Sequence, residues 1–157
     1  MKGVIALVLS IGLQALACTS RAAEPLVGLW RLQQQELNGQ QSGFGPLALQ
    51  ISQAGNKLTF AFSAPMPEVY FVTTTYTLRL DGSSAGIIDG NGQKIGTIQM
   101  TRSAAGVYQL TMKGPNRPDA QGTLTVSVDG KTLISESDAT APQSGRSTHS
   151  KQIFARD

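Results

Sequence analysis

The sequence predicts an all-β protein whose strands form a single antiparallel up-and-down barrel of about eight to ten strands. Apolar and polar residues alternate through most of the chain after residue 26, as in strands that bury one face. Asp-Gly and related turn pairs separate these runs, so consecutive strands are expected to form hairpins. No stretch in this region has the period of an amphipathic helix, and residues 64–71 are the one place where a short helical turn is expected.

The first residues have the pattern of a signal for export. Met1 and Lys2 form a short positive start, and Gly3 to Ala17 is almost wholly apolar. This run is shorter than the roughly 20 residues that a bilayer-spanning helix needs. We expect residues 1–17 to be a signal peptide, 18–26 a linker and 27–157 the barrel domain.

Two cleavage sites are compatible with this segment. Residues 15–18 resemble a bacterial lipobox, in which Cys18 is lipidated and becomes the new N-terminus. The alternative is cleavage after Ala22, which ends a small-x-small pattern. The expected location is therefore the bacterial periplasm, or the outer membrane as a lipoprotein, or alternatively the medium as a secreted protein. The anchor at Cys18 is the only membrane contact that we expect.

Nine or ten strands can be placed along the chain from the alternating runs and the turns between them. Because so long a meander would leave two exposed edges, closure into a barrel is favoured over an open sandwich, which is the second choice. The predicted strands lie at about 27–37, 47–53, 57–63, 69–80, 84–88, 94–102, 106–113, 121–128, 131–137 and 148–155.

The charges do not indicate a nucleic-acid-binding protein. There are 13 Lys and Arg residues against 10 Asp and Glu, a net charge of +3, or +2 once Lys2 is removed with the signal. The basic residues are scattered singly and are not interleaved with aromatic residues. We therefore expect no nucleic-acid partner, and the sequence does not specify an oligomeric state.

No set of residues predicts catalysis, a metal site or a cofactor. His149 is the only histidine, and it is expected to be a solvated residue of the last strand. Glu136 and Asp138 share a strand face, which is more typical of a solvated outer surface than of acid–base chemistry. The run Asp89 to Gly92 is expected to be a turn, because the glutamate that ends an EF-hand loop is missing.

Apolar and aromatic side chains provide the candidate site. A barrel of this size either fills its lumen with side chains or encloses one small ligand. The candidates for lining the lumen or its mouth are Phe44, Phe60, Phe62, Tyr70, Tyr76, Met100, Tyr108 and Met112.

The first and last strands resemble those of the lipocalins and the wider calycin group. Gly28 and Trp30 form a Gly-x-Trp signature at the start of the first strand, and a Gly-rich loop over 38–46 follows it. Arg156 ends the last strand, where such barrels pack a basic residue over the Trp ring. The stretch 27–156 also resembles exported bacterial lipocalin-like proteins of unassigned activity. The resemblance implies a barrel with Trp30 at one end, Arg156 over its ring and Gly28 in a structural role.

The expected function is therefore the binding of a small, apolar molecule in the lumen of an exported protein, without enzymatic activity. The alternative is a structural, envelope-associated lipoprotein whose barrel is filled and whose outer surface meets a protein partner. A catalytic role ranks third, because the sequence offers no residues to carry it.

Overall fold

The computed structural model describes residues 23–43, 47–66, 69–115, 118–141 and 144–157, and these form strands and turns without a helix. None of these residues belongs to a helix that could span a bilayer. The signal peptide, Cys18 and both cleavage sites lie outside the described residues. The strands are β1 Gly28–Leu37, β2 Gln40–Gln41, β3 Ala48–Ala54, β4 Lys57–Met66, β5 Val69–Leu78, β6 Ala85–Asp89, β7 Lys94–Ala104, β8 Val107–Lys113, β9 Asp119–Val126, β10 Thr132–Thr140 and β11 Ser147–Arg156.

The strands close into an antiparallel barrel. From β3 to β11 each strand pairs with the next along the chain, and β1 pairs with both β3 and β11. Ten strands thus form the ring, while β2 pairs with the upper part of β1 alone. The closed up-and-down barrel predicted from the alternation is confirmed, and the open sandwich is excluded.

Two ends of the barrel can be told apart by their turns. At one end, here called the floor, lie the turns that join β3 to β4, β5 to β6, β7 to β8 and β9 to β10. At the other end, the mouth, lie the remaining connections, including the loop between β1 and β3. Turns at the floor are tight because glycines adopt positive φ there, as Gly130 does at 71°.

The floor half of the lumen is filled by large side chains. Trp30, Phe60 and Tyr108 are each 0% exposed, and the aliphatic side chains around them are equally enclosed. Aromatic rings of this size supply most of the apolar burial that a small single-core domain needs. The other large side chains in the lumen that are fully buried are Leu26, Leu49, Ile51, Leu58, Ile87, Ile98, Met100, Leu133 and Phe154.

The segment before β1 closes the floor. Leu26 is 0% exposed, and its carbonyl accepts a hydrogen bond of 2.8 Å from the indole Nε1 of Trp30. The Val27 amide donates to the Glu24 carbonyl at 2.9 Å, which turns the chain back across the barrel. Within the segment expected as a linker, Glu24 and Leu26 are therefore buried, whereas Ala23 and Pro25 are exposed.

Strand bending depends on one glycine inside the sheet. Gly122 of β9 pairs with Ser137 of β10, and a Cβ placed on it would lie 2.3 Å from the Glu136 carbonyl oxygen. No side chain fits at that distance, so glycine is needed at this position for β9 and β10 to coil tightly.

The expected helical turn at residues 64–71 is wrong. β4 continues to Met66 and β5 begins at Val69, so the two strands pair almost to their ends. A register shift between Phe62 and Ser63 adjusts the pairing in this part of the hairpin. Pairing satisfies the backbone amides and carbonyls here, which removes the need for a helical turn.

Candidate ligand-binding cavity

The mouth half of the barrel contains a cavity of about 730 Å³. Its position follows from the core, because the large side chains among the described residues end about halfway along the lumen. Small-molecule sites have volumes of about 300–1,000 Å³, so the cavity is large enough for one organic ligand. Its apolar lining consists of Leu47, Leu49, Phe62, Tyr76, Ile87, Ile95, Leu110, Met112, Pro115, Pro118, Leu124 and Phe154.

The predicted lumen residues divide between the two halves of the barrel. Phe62, Tyr76 and Met112 line the cavity. In contrast, Phe60, Met100 and Tyr108 are at most 1% exposed and belong to the packed floor half, so they do not line it. Phe44 and the side chain of Tyr70 lie outside the described residues.

Aromatic rings on β4 and β5 form one wall of the cavity. The rings of Phe60 and Tyr76 are stacked, with centroids 4.8 Å apart and an interplanar angle of 22°. Phe62 lies nearer the mouth, with its ring centroid 6.0 Å from that of Tyr76. Because the stacked pair spans the boundary between the two halves, the packed floor supports this wall of the cavity.

Uncharged polar side chains line the facing wall, those of Ser135, Ser137 and Gln152, with Gln35 beside Gln152. Ser135 of β10 pairs in register with Gln152 of β11, which in turn pairs with Gln35 of β1. The Gln152 amide donates to the Gln35 side-chain oxygen at 3.3 Å, and Ser137 follows Ser135 on the same face of β10. We call Gln35, Ser135, Ser137 and Gln152 the polar row.

The sequence analysis missed the polar row, although a signal for it was present. Leu133 and Phe154 are buried in the lumen, and side chains two residues along a strand face the same way. This alternation places Ser135 and Gln152 in the lumen as well, where their polarity indicates a cavity and not a filled core.

One of the described lining residues, Lys94, is charged. Lys94 starts β7 beside a register shift, and its Cε would lie 3.5 Å from a Cβ placed on Gly86. Gly86 alternates with Ile87, which faces the lumen, so the stem of Lys94 lies along the outer surface. Apart from Lys94, the described residues that line the cavity are uncharged.

A buried carboxylate stabilises the floor. Glu24 is 9% exposed, forms an ion pair with Arg102 and accepts a hydrogen bond of 3.2 Å from the Tyr108 hydroxyl. Burial raises the pKa of Tyr108 above its ordinary value of 10.0, and the nearby Arg102 only partly offsets this effect. These contacts attach the segment before β1 to the β7–β8 hairpin.

Arg156 covers the indole of Trp30 from the outside. Its guanidinium carbon lies 4.3 Å from the ring centroid, within the range of cation–π contacts. The same group donates hydrogen bonds to the carbonyls of Gly130 at 2.6 Å, Val27 at 2.8 Å and Pro25 at 2.6 Å. These hydrogen bonds attach the segment before β1 and the turn between β9 and β10 to the last strand, β11.

Gly28 makes room for this arrangement. A Cβ on Gly28 would lie 3.0 Å from Nη1 of Arg156, and the residue has a φ of 152°. Since Nη1 is held by its hydrogen bond to Val27, a side chain at residue 28 would displace the guanidinium. The Gly-x-Trp signature therefore has a physical reason in this barrel.

The remaining polar candidates lie on the outer surface. His149 is 49% exposed, and its Nδ1 is 2.9 Å from Oδ1 of Asp138, which is 76% exposed. Glu136 forms an exposed ion pair with Lys151 at 3.0 Å. The Asp89 carboxylate accepts the amides of Asn91 and Gln93 within its own turn. Among the described residues, no group of acidic, histidine or cysteine side chains is arranged to hold a metal ion.

Comparison with known proteins identifies the fold. No protein-family model matches the sequence, and no curated protein is similar to it. Among the solved structures that match is the S-type phycobiliprotein lyase from Guillardia theta, with a TM-score of 0.55 and 13% sequence identity. The match covers 85% of this chain and 89% of that one. At this identity the likeness concerns the fold, and together with the closed ten-strand ring it shows that the chain has a lipocalin-like barrel.

Proposed function

We propose that this protein binds a small, predominantly apolar molecule in the mouth half of its barrel. The observation that carries the proposal is the cavity of about 730 Å³, which the fold leaves open although the floor half is densely packed. Apolar area removed from water contributes about 25 cal/mol per Å², so a lining of this kind favours an apolar ligand. A preformed cavity also lowers the ordering cost of binding.

The alternative of a filled barrel that contacts only a protein partner has less support. Such a barrel requires side chains throughout its lumen, and those of the described residues fill the floor half only. Binding without covalent chemistry is also favoured, because no carboxylate, histidine or cysteine is among the described residues that line the cavity. The structural neighbour is named a lyase, but that name describes the neighbour, and we propose no lyase activity for this chain.

Export is part of the proposal. Its support is the apolar run Gly3 to Ala17 behind a single lysine. An exported binding protein of this kind would take up its ligand outside the cytoplasm. Native mass spectrometry of the protein isolated from its own host tests both parts, because it reports the mass of the processed chain and of any bound molecule.

A titration with the uncharged dye Nile red tests the cavity directly. Leu110 lines the cavity, whereas its neighbour Gln109 is exposed on the outer face. We expect the dye to bind the unmodified protein, and Leu110→Trp to weaken binding by about tenfold, because the indole occupies part of the cavity. Gln109→Trp adds the same group outside the barrel and is expected to leave binding unchanged.

Two results would count against the proposal. The first is no binding of the dye to the folded, unmodified protein. The second is an equal effect of the two tryptophan substitutions on binding. Thermal unfolding of all three proteins confirms that the comparison is made on folded chains.

A further inference from the structure

We propose that the ligand is an uncharged, flat molecule with an apolar body and with hydroxyl, carbonyl or amide groups along one edge. This inference rests on the proposed function, since it specifies the class of ligand for the same cavity. Three features support it: the polar row, the aromatic wall that faces it, and the presence of one charged residue only, Lys94, among the described lining residues.

The polar row offers hydrogen bonds along one line across three neighbouring strands. Ser135, Gln152 and Gln35 are register partners on three neighbouring strands, so their side chains form a line across the wall. The hydroxyls of Ser135 and Ser137 form no hydrogen bond with another described residue, while the Gln152 amide uses one donor for Gln35. Such a line suits a ligand with polar groups along an edge.

Gly122 keeps part of this row open. It lies opposite Ser137, and a Cβ at Gly122 would be 2.8 Å from the Cβ of Ser137. A larger residue would therefore crowd the serine. Because glycine has no side chain, the Ser137 hydroxyl stays accessible from the lumen. A serine with a structural role alone would not need this access.

The aromatic wall lies across the lumen from the polar row. β5 and β10 are five places apart in the ring of ten strands, which puts Tyr76 and Ser135 on opposite sides. Phe62 and Tyr76 present ring surfaces to the cavity, and ring surfaces favour flat apolar partners. A ligand between the two walls would contact rings on the side of β4 and β5, where Thr73 and Thr74 also line the cavity, and the polar row on the other side.

The scarcity of charge among the described lining residues disfavours an ionised ligand. A carboxylate in this cavity would lose its water and find one cationic side chain among the described lining residues, that of Lys94, whose stem lies beside Gly86. The desolvation of an unpaired charge is costly, whereas a neutral hydroxyl or amide recovers its hydrogen bonds from the polar row. The cavity therefore selects against fatty-acid-like anions.

Three fluorescent probes with one ring system provide the test: pyrene, 1-pyrenemethanol and 1-pyrenecarboxylate. We expect 1-pyrenemethanol to bind at least tenfold more tightly than the carboxylate at neutral pH. In the variant with both Ser135→Ala and Ser137→Ala, we expect 1-pyrenemethanol to bind about 3- to 10-fold more weakly and pyrene to be unaffected. Ser52→Ala, an exposed serine on the outer face of β3, is the matched control and is expected to change neither.

The outcomes separate the inference from the proposed function. Binding of the carboxylate as tight as that of the alcohol would overturn the inference while the cavity remains a binding site. An unchanged affinity of the double variant for 1-pyrenemethanol would do the same. Failure of all three probes to bind the folded, unmodified protein would overturn the proposed function, and the inference with it.

Discussion

Replacing Arg156 by alanine is expected to destabilise the barrel strongly. The guanidinium covers the ring of Trp30 and donates to three backbone carbonyls, those of Gly130, Val27 and Pro25. A net hydrogen bond contributes about 1 kcal/mol. The cation–π contact adds about 1 kcal/mol. Because the contact to Pro25 is exposed to water, we expect the free energy of unfolding to fall by about 3 kcal/mol.

The assay is equilibrium unfolding in urea, followed by the fluorescence of Trp30, the only tryptophan in the chain. In a domain of this size, 3 kcal/mol corresponds to a fall in Tm of about 10 °C, which calorimetry measures independently. Arg156→Lys keeps the charge but loses the planar group that reaches three carbonyls, so we expect an intermediate loss.

Arg31 provides the matched control. Like Arg156, it lies near the floor. It forms a bidentate ion pair with Asp157, but both side chains are more than 40% exposed. Exposed ion pairs contribute little, so we expect Arg31→Ala to have a much smaller effect than Arg156→Ala. Equal losses in the two variants would refute the reasoning, since they would show that covering Trp30 adds nothing.

Three further predictions concern other parts of the chain. Gly122→Ala should lower Tm far more than Gly43→Ala, because a Cβ at Gly122 would lie 2.3 Å from a carbonyl oxygen, whereas one at Gly43 would have no atom within 4 Å. Equal Tm values would contradict this. Burial raises the pKa of Tyr108, so as the pH rises above about 10 the unfolded chain loses the hydroxyl proton before the folded protein does, and stability should fall. Calorimetry should show a smaller fall of Tm with pH for Tyr108→Phe. An unchanged dependence of Tm on pH would argue against this. Labelling with palmitate in the bacterial host should mark the unmodified chain and not Cys18→Ala if the lipobox is used, whereas cleavage after Ala22 would leave both unlabelled.

The strands could be predicted from the sequence because alternation and turns act locally. The predicted segments agree with the observed strands to within about three residues at most ends, which is the usual uncertainty of such boundaries. Val72 is an exception. Its even position groups it with Tyr76, yet it is 44% exposed, because a register shift in the β4–β5 hairpin reverses the phase of the alternation. The sequence carries no mark of this bulge.

The candidate site was only partly predictable. Hydrophobicity identified Phe62 and Tyr76, but it could not separate them from Phe60, which differs only in its depth along the lumen. Depth depends on the stagger of the strands and on how far the floor is filled, and neither is a local property. Ser135 was overlooked because a polar residue on a strand is usually solvated, and only its phase relative to Leu133 places it inside.

The separation of the barrel into a packed half and a hollow half determines where the protein can accept amino-acid substitutions. Residues such as Leu110 and Met112 face empty space on one side, so replacing them removes fewer contacts than replacing a residue near Trp30. Specificity can therefore be altered at the mouth with little risk to folding. The same scaffold is suited to directed evolution toward new small molecules, with variation confined to the residues above the Phe60–Tyr76 stack.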